Sequence, residues 1–384
     1  MRLKKNEIMY YIAIGIILLR VYLKSTKLIN LNQDSLFFDI LLLISYALLI
    51  LKIIIKEKWK NIFLYGIIIL VAVISYSISN MSEFLTLVLI VIASKNIDIK
   101  RTLKFLIAFN MTVIGIHMIA WLIMFIADRE NIPVIYRDND SNNRVRYNFY
   151  LGHPNFFSAA VVWTTMMYAY LKFEKLKWYD YLLMIGIAIF IYVVPNSRTS
   201  AMLLVALLIL IPIFKKNLKG LVNICKFAIP IIFIILITLV LTYDVNPYID
   251  EINKIFNSRM KLAIATYKEY GIHLLGNDLP LFEKELTNLY KYGMTALTID
   301  NAYYFMLFSQ GILSSVIFTL FYTKLTLVKG IEKKKILFLT IWSLFAVTET
   351  MALTAVIAFP LLFGGELLEK KHVKEKVEGE KYEN

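Results

Sequence analysis

Cysteine and histidine, the residues that staple small secreted folds and hold most metals, are almost missing: 384 residues contain one cysteine and four histidines. Cys225 lies inside an apolar run, so neither a disulfide framework nor a cysteine-based zinc site is available. The four histidines are scattered and make no metal constellation, which argues against a metal-dependent glycosyltransferase of the soluble type. Neither a Walker loop nor a dinucleotide glycine motif occurs, so no nucleotide energy and no cofactor is expected. Charge is scarce too, at 18% of residues against roughly 25% in soluble domains.

What fills the chain instead is apolar: 59% of residues are hydrophobic and the mean hydropathy is +0.65. A water-facing fold cannot hide that much apolar surface, so lipid must solvate much of it. The formal net charge of +14 sits between apolar runs rather than on one face, which points to cytoplasmic membrane loops and not to nucleic acid. The first apolar run lacks a small-x-small cleavage site and reads as a retained anchor.

A crossing needs about 20 mainly apolar residues. That rule marks spans near 7–23, 35–55, 61–79, 82–94, 103–127, 149–171, 179–194, 199–214, 224–243 and 300–328, with one or two more in 336–367. The expectation is an all-α polytopic membrane protein of about twelve transmembrane helices. Even-numbered crossings end at lysine-rich connections (Lys52/Lys56/Lys58/Lys60, Lys95/Lys100/Arg101/Lys104, Lys172/Lys175/Lys177, Lys215/Lys216/Lys219, Lys329/Lys333/Lys334/Lys335), which places them and both termini inside. The 336–367 stretch then enters and returns, turning near Thr348-Glu349-Thr350. Residues 1–368 read as one transmembrane domain, with extracytoplasmic loops at 128–148 and 244–299, followed by a charged cytoplasmic tail, 369–384. Ile255, Met260, Ile264 and Tyr267 recur at helical spacing, so the second loop is expected to fold into a cap with short helices.

The chemically informative residues gather at the outer side. Arg129, Arg137, Arg144 and Arg146 crowd the first loop, and Arg144 and Arg146 lack neighbouring acids; arginine's fork suits phosphate or carboxylate. Leu151-Gly152-His153-Pro154-Asn155 opens the sixth span, with Pro154 suited to the first helical turn. Pro195-Asn196-Ser197-Arg198-Thr199-Ser200 joins two spans, Asn196 or Ser197 serving as cap and Arg198 adding its charge to the helix N-terminus. In the second loop Ser258-Arg259 precedes a helical segment and His273-Leu274-Leu275-Gly276-Asn277 follows it. Asp300-Asn301-Ala302-Tyr303-Tyr304 opens the tenth span, with Asp300 readable as N-cap or catalyst and Gln310-Gly311 deeper in. Glu349, set in apolar surroundings, needs a partner or exposure at the hairpin turn. His117 sits mid-span and reads as a hydrogen-bonded packing residue.

These segments, in this order, resemble the family of bacterial O-antigen ligases and Wzy-type polysaccharide polymerases. The resemblance covers the chain from about Tyr147 onward and rests on five short motifs. They are Gly152-His153-Pro154-Asn155, Asn196-Ser197-Arg198-Thr199-Ser200, Ser258-Arg259 with Leu275-Gly276, Asp300-Asn301-Ala302-Tyr303, and Gln310-Gly311. It implies a membrane-embedded, GT-C-like glycosyltransferase with its large outer loop between helices 9 and 10. Such an enzyme works on the outer face of the cell membrane, is metal-independent and inverting, and transfers a glycan from an undecaprenyl-diphosphate carrier to a sugar hydroxyl. Capsule or exopolysaccharide synthesis is the setting it implies, alongside a flippase and chain-length regulators. By position Arg198 and Arg259 are its diphosphate ligands, with Arg146 and Arg144 as further candidates. Asp300, Asn301, His153 and Glu349 are the candidates for the catalytic side. The family's ligases often carry histidine where this chain has Asp300-Asn301, and that departure leans towards polymerase. A ligase and a flippase for the same lipid-linked glycan are the competing readings.

Overall fold

The computed structural model describes residues 5–32, 35–128, 132, 134–136, 145–216, 218–246, 248, 251, 253–254, 259–281 and 296–369. In chain order the first helices are α1 (Lys5–Ser25), α2 (Leu36–Lys56), α3 (Trp59–Ser79), α4 (Glu83–Ala93) and α5 (Ile99–Ala127). A hairpin of β1 (Val134–Tyr136) and β2 (Val145–Tyr147) comes next, then α6 (Pro154–Leu171), α7 (Trp178–Val193), α8 (Arg198–Lys215), α9 (Lys219–Cys225) and α10 (Ala228–Leu241). The last are α11 (Arg259–Tyr270), α12 (Ala302–Leu327) and α13 (Lys333–Ala346). Among the described residues six helices, α1, α2, α3, α5, α8 and α12, are long and apolar enough to cross a bilayer. The pair α9–α10, bent by 54°, makes a seventh if it is one span. Among the described residues the chain is thus an all-α polytopic membrane protein apart from one small hairpin.

Contacts divide the chain into two compact units. The first comprises Met1–Ile55, Asn96–Leu218 and Val356–Leu362, the second Lys56–Lys95, Lys219–Ala355 and Phe363–Asn384.

In the first unit, exposed apolar side chains such as Leu43, Ile126 and Met202 cover the outer faces of α2, α5 and α8, as lipid contact requires. Polar residues turn inward and bond to one another. The Tyr22 hydroxyl donates to Asn110 Oδ1 at 2.9 Å, and Asn110 Nδ2 donates to Thr164 Oγ1 at 3.1 Å, joining α1, α5 and α6. His117 makes contacts of 2.9 Å to Thr26 Oγ1 and 2.8 Å to the Val113 carbonyl, so it is the packing residue its mid-span position predicts. Two cations, Arg20 and Lys24, lie in the last part of α1. Arg20 Nε donates to the Phe38 carbonyl, and Lys24 lies over the Phe38 ring. Near the lysine-rich end of α6, Lys172 and Asp180 meet through Tyr168, whose hydroxyl donates to Asp180 Oδ1 at 2.6 Å. The hydrogen bond with Tyr168, helped by the Asp180 charge, holds the Lys172 ammonium above its usual range.

In the second unit α4 is buried nearly all round. Its 11 residues rise roughly 16 Å, about half a hydrocarbon core. A helix enclosed by protein has no hydrocarbon thickness to match, which explains how so short an apolar run is stable. α12 is broken rather than continuous: a π turn spans Met306–Gln310 and the chain restarts at Gly311. Gln310 is fully buried, with its side chain bonded to Ser75 Oγ at 2.8 Å and to the Met81 carbonyl at 2.9 Å. Beyond α13 the chain turns at Thr348–Glu349, as expected, and the return limb runs through two 3₁₀ turns, Thr350–Leu353 and Phe359–Phe363, before an α-helical segment at 364–369, with 356–362 belonging to the first unit. Nearly all of 352–365 is buried, and irregular backbone at membrane depth is tolerated only under such cover.

Replacing Asn110 by leucine leaves the Tyr22 hydroxyl without its acceptor and Thr164 Oγ1 without its donor in an apolar setting. We expect a loss of about 1–2 kcal/mol, read as a lower midpoint in denaturant unfolding of the detergent-solubilised protein. An unchanged midpoint contradicts the network's importance.

Candidate functional site

The sequence-selected residues fall into two clusters, one in each unit. In the first unit β2 pairs antiparallel with β1, Ile135 opposite Arg146. The hairpin lies in the first long loop, where the β-branched and aromatic runs Val134-Ile135-Tyr136 and Val145-Arg146-Tyr147 carry its signal. From β2 the Arg146 guanidinium donates to Asn155 Oδ1 at 2.7 Å and to the Pro195 carbonyl at 3.3 Å. Three of the motif segments therefore meet at Arg146. His153 is exposed and caps α6, its Nδ1 accepting from the Asn155 amide at 3.2 Å, with Pro154 in the first turn as expected. Asn196 adopts a left-handed φ of 50° and is buried. Ser197 holds the cap position of α8 without a side-chain capping bond, and Arg198 is the exposed first residue of that helix. Arg144, Arg129 and Arg137 lie outside the described residues.

The second cluster is more tightly built. Arg259, the first residue of α11, is 16% exposed at its side chain and lies between two carboxylates. Its Nε is 3.5 Å from Asp300 Oδ2, and its Nη2 is 3.6 Å from Glu349 Oε1. Both separations exceed the roughly 2.7–2.9 Å of a close charge-assisted bond, and Nε is buried with no hydrogen-bond partner among the described residues. The two acids differ: the Asp300 side chain is 49% exposed, that of Glu349 only 13%.

Asn301 explains why these groups stay together. Its Oδ1 accepts from the amides of Tyr303 (2.8 Å) and Tyr304 (3.1 Å), so it, not Asp300, is the N-cap of α12. Its Nδ2 donates to the Val347 carbonyl at 2.8 Å, pinning the turn that carries Glu349. Asn301 thus ties the start of α12 to the turn that carries Glu349, using its Oδ1 and one of the two Nδ2 hydrogens. At the other end of α11 the loop 271–281 inserts into the break in α12. Asn277 N donates to Ser309 O (3.0 Å), and the amides of Ile312 and Leu313 donate to the His273 and Leu274 carbonyls, each at 3.0 Å. Gly276 (φ 111°) and Gly311 (φ 89°) make this approach feasible. A Cβ on either would stand 2.3 Å from a backbone atom of the opposite segment. The two glycine motifs that the sequence offers separately are one backbone clasp. Tyr304 closes the arrangement, donating to the Leu236 carbonyl at 2.9 Å with Met260 Sδ 3.4 Å away.

Among the described residues no group of three or more His, Cys, Asp or Glu converges on a metal position. The first loop does contain one Asp-x-Asp sequence, Asp138-Asn139-Asp140, outside the described residues.

Substituting alanine at Gly311 combines a disfavoured φ with a clash against backbone, and should destabilise the protein by roughly 2–4 kcal/mol. A melting midpoint equal to wild type sinks the clasp as described. Asn301→Ala removes a cap worth about 1 kcal/mol and strands the Val347 carbonyl. Asn301→Asp keeps the cap acceptor and loses only the clamp, so it should melt between alanine and wild type; equal melting of the two variants contradicts a double role. No protein-family model, curated protein or solved structure matches the chain.

Proposed function

We propose that the protein is a polysaccharide polymerase that joins oligosaccharide repeat units on the outer face of the cell membrane. Its donor is an undecaprenyl-diphosphate-linked glycan and its acceptor a sugar hydroxyl on another such chain. In this reading the shorter helices also cross or enter the membrane. That gives about twelve spans in a GT-C-like arrangement, with both termini cytoplasmic. The observation that carries the proposal is Arg259: a guanidinium whose buried Nε has no hydrogen-bond partner among the described residues, loosely flanked by two carboxylates at the mouth of a broken span.

A lipid diphosphate is already an activated leaving group, so the protein need supply only charge stabilisation and alignment. The acceptor hydroxyl loses its proton to the Asp300 carboxylate, the more exposed of the two acids, as its oxygen attacks the anomeric carbon from the face opposite the diphosphate. The bond from that carbon to the diphosphate oxygen breaks, and the electron pair leaves with the lipid diphosphate. Arg259 is assigned to the charge that develops there; in the first unit, Arg198 is required on the strength of its motif's resemblance, and Arg146 holds the His153–Asn155 segment. No nucleotide or metal takes part in any of these steps.

The distribution of buried charge favours an enzyme over a flippase. A flippase needs charged groups deep in several helices along its path. Here the buried charged residues among those described, Lys52, Lys95, Asp180 and Lys335, all stand at or near helix ends. Both Arg198→Ala and Arg259→Ala should abolish chain growth at normal expression. Substantial long-chain polymer from both variants defeats the assignment.

A further inference from the structure

The charge count around Arg259 poses a difficulty for any anionic ligand. One guanidinium faces two carboxylates, so the cluster carries net negative charge where a diphosphate is to bind. Either Arg259 is closed to phosphate or one carboxylate gives way. The geometry distinguishes the two acids. Glu349 is 13% exposed, sits on a turn held by the Asn301 clamp to Val347, and bonds backbone to backbone with Phe345 and Ala352. Asp300 is 49% exposed and precedes the helix cap, outside the hydrogen bonds that fix α12. Its separation of 3.5 Å from Nε is an ion pair without hydrogen-bond geometry, since Nε has no partner among the described residues.

We propose that Asp300 is an exchangeable counter-ion of Arg259, displaced when the diphosphate of the donor binds, while Glu349 stays and orients the guanidinium. The inference rests on the proposed diphosphate site and adds its regulation. A diphosphate carries more charge than a carboxylate and matches the guanidinium fork at two points, so it wins Nε from Asp300. Asp300, freed from its cation and already open to solvent, then accepts the acceptor hydroxyl proton. The base is released only when a donor is in place. The exchange itself is non-covalent, a swap of one anion for another on Arg259, and needs no metal or cofactor. A resident Asp300–Arg259 pair also keeps free inorganic anions of low charge from occupying the site, because they gain too little over the carboxylate they displace.

The test is binding of farnesyl diphosphate, as a short-chain probe, to the full-length protein in nanodiscs. Wild type, Asp300→Asn, Glu349→Gln and Arg259→Ala are compared at neutral pH and fixed salt. Removing the competitor and its repulsion should make Asp300→Asn bind about tenfold more tightly than wild type, while the same variant polymerises no glycan. Glu349→Gln should bind more weakly, because Arg259 loses its orienting partner. Asp300→Ala repeats the expected gain if the asparagine side chain makes contacts of its own. If wild type binds the probe through Arg259, and neither Asp300 variant binds more tightly, the exchange is overturned and the diphosphate site stands. If wild type fails to bind the probe, or Arg259→Ala binds equally well, the diphosphate site fails and takes the exchange with it.

Discussion

A hydrocarbon slab offers no hydrogen bonds, so every backbone amide and carbonyl at membrane depth must find its partner within the chain. The regular helices satisfy this by themselves. The places where the protein departs from helix are the ones that show how it is built. The π turn at Met306–Gln310, the loop 271–281 and the 3₁₀ return limb after α13 are each paired with, or buried under, other parts of the chain. In α12 the amides of Ile312 and Leu313 turn away from their own helix and are taken up by the carbonyls of an inserted loop. Only glycine at 276 and 311 lets the two backbones come that close.

That solution to a solvation problem also positions the chemistry. The inserted loop is the continuation of α11, and α11 begins with Arg259. Tyr304 fixes the same helix near its start, through Met260 and the Leu236 carbonyl. Asn301 then sets the two carboxylates around the guanidinium, by capping α12 and clamping the Glu349 turn in one residue. A charged trio at such a place is costly unless it is held by hydrogen-bonded neighbours. Here the neighbours hold Glu349 firmly and Asp300 loosely.

Much of the helical architecture is readable from composition, because a run of apolar residues bounded by lysines has few alternatives in a chain this hydrophobic. α11 was legible at Met260, Ile264 and Tyr267, although Ile255 lies outside the described residues. Ala, Ile, Leu and Phe fill the return limb and predict helix throughout, whereas only 364–369 of it is α-helical. Its irregularity depends on tertiary burial, which hydropathy does not encode. The β-hairpin was passed over because its two strands are three residues each and flank a charged loop. Of the site, the prominence of Arg259, Asp300 and Glu349 was legible, and their convergence was not. No spacing rule relates residues 259, 300 and 349. Asn301, a catalytic candidate through the resemblance, also serves as cap and clamp, which sequence does not reveal. Asp300, read as the simplest cap, leaves that position to its neighbour.

The central claim is that the outward-facing chemistry is glycan chain growth from a lipid diphosphate. The most direct measurement is to delete the gene in its native host, restore it, and follow both polymer length by gel and the leaflet holding lipid-linked repeat units. The account predicts loss of long chains on deletion, with single repeat units left on the outer leaflet, and recovery on restoration. Repeat units trapped on the inner leaflet would contradict it in favour of a flippase, and long chains left on the lipid carrier would contradict it in favour of a ligase.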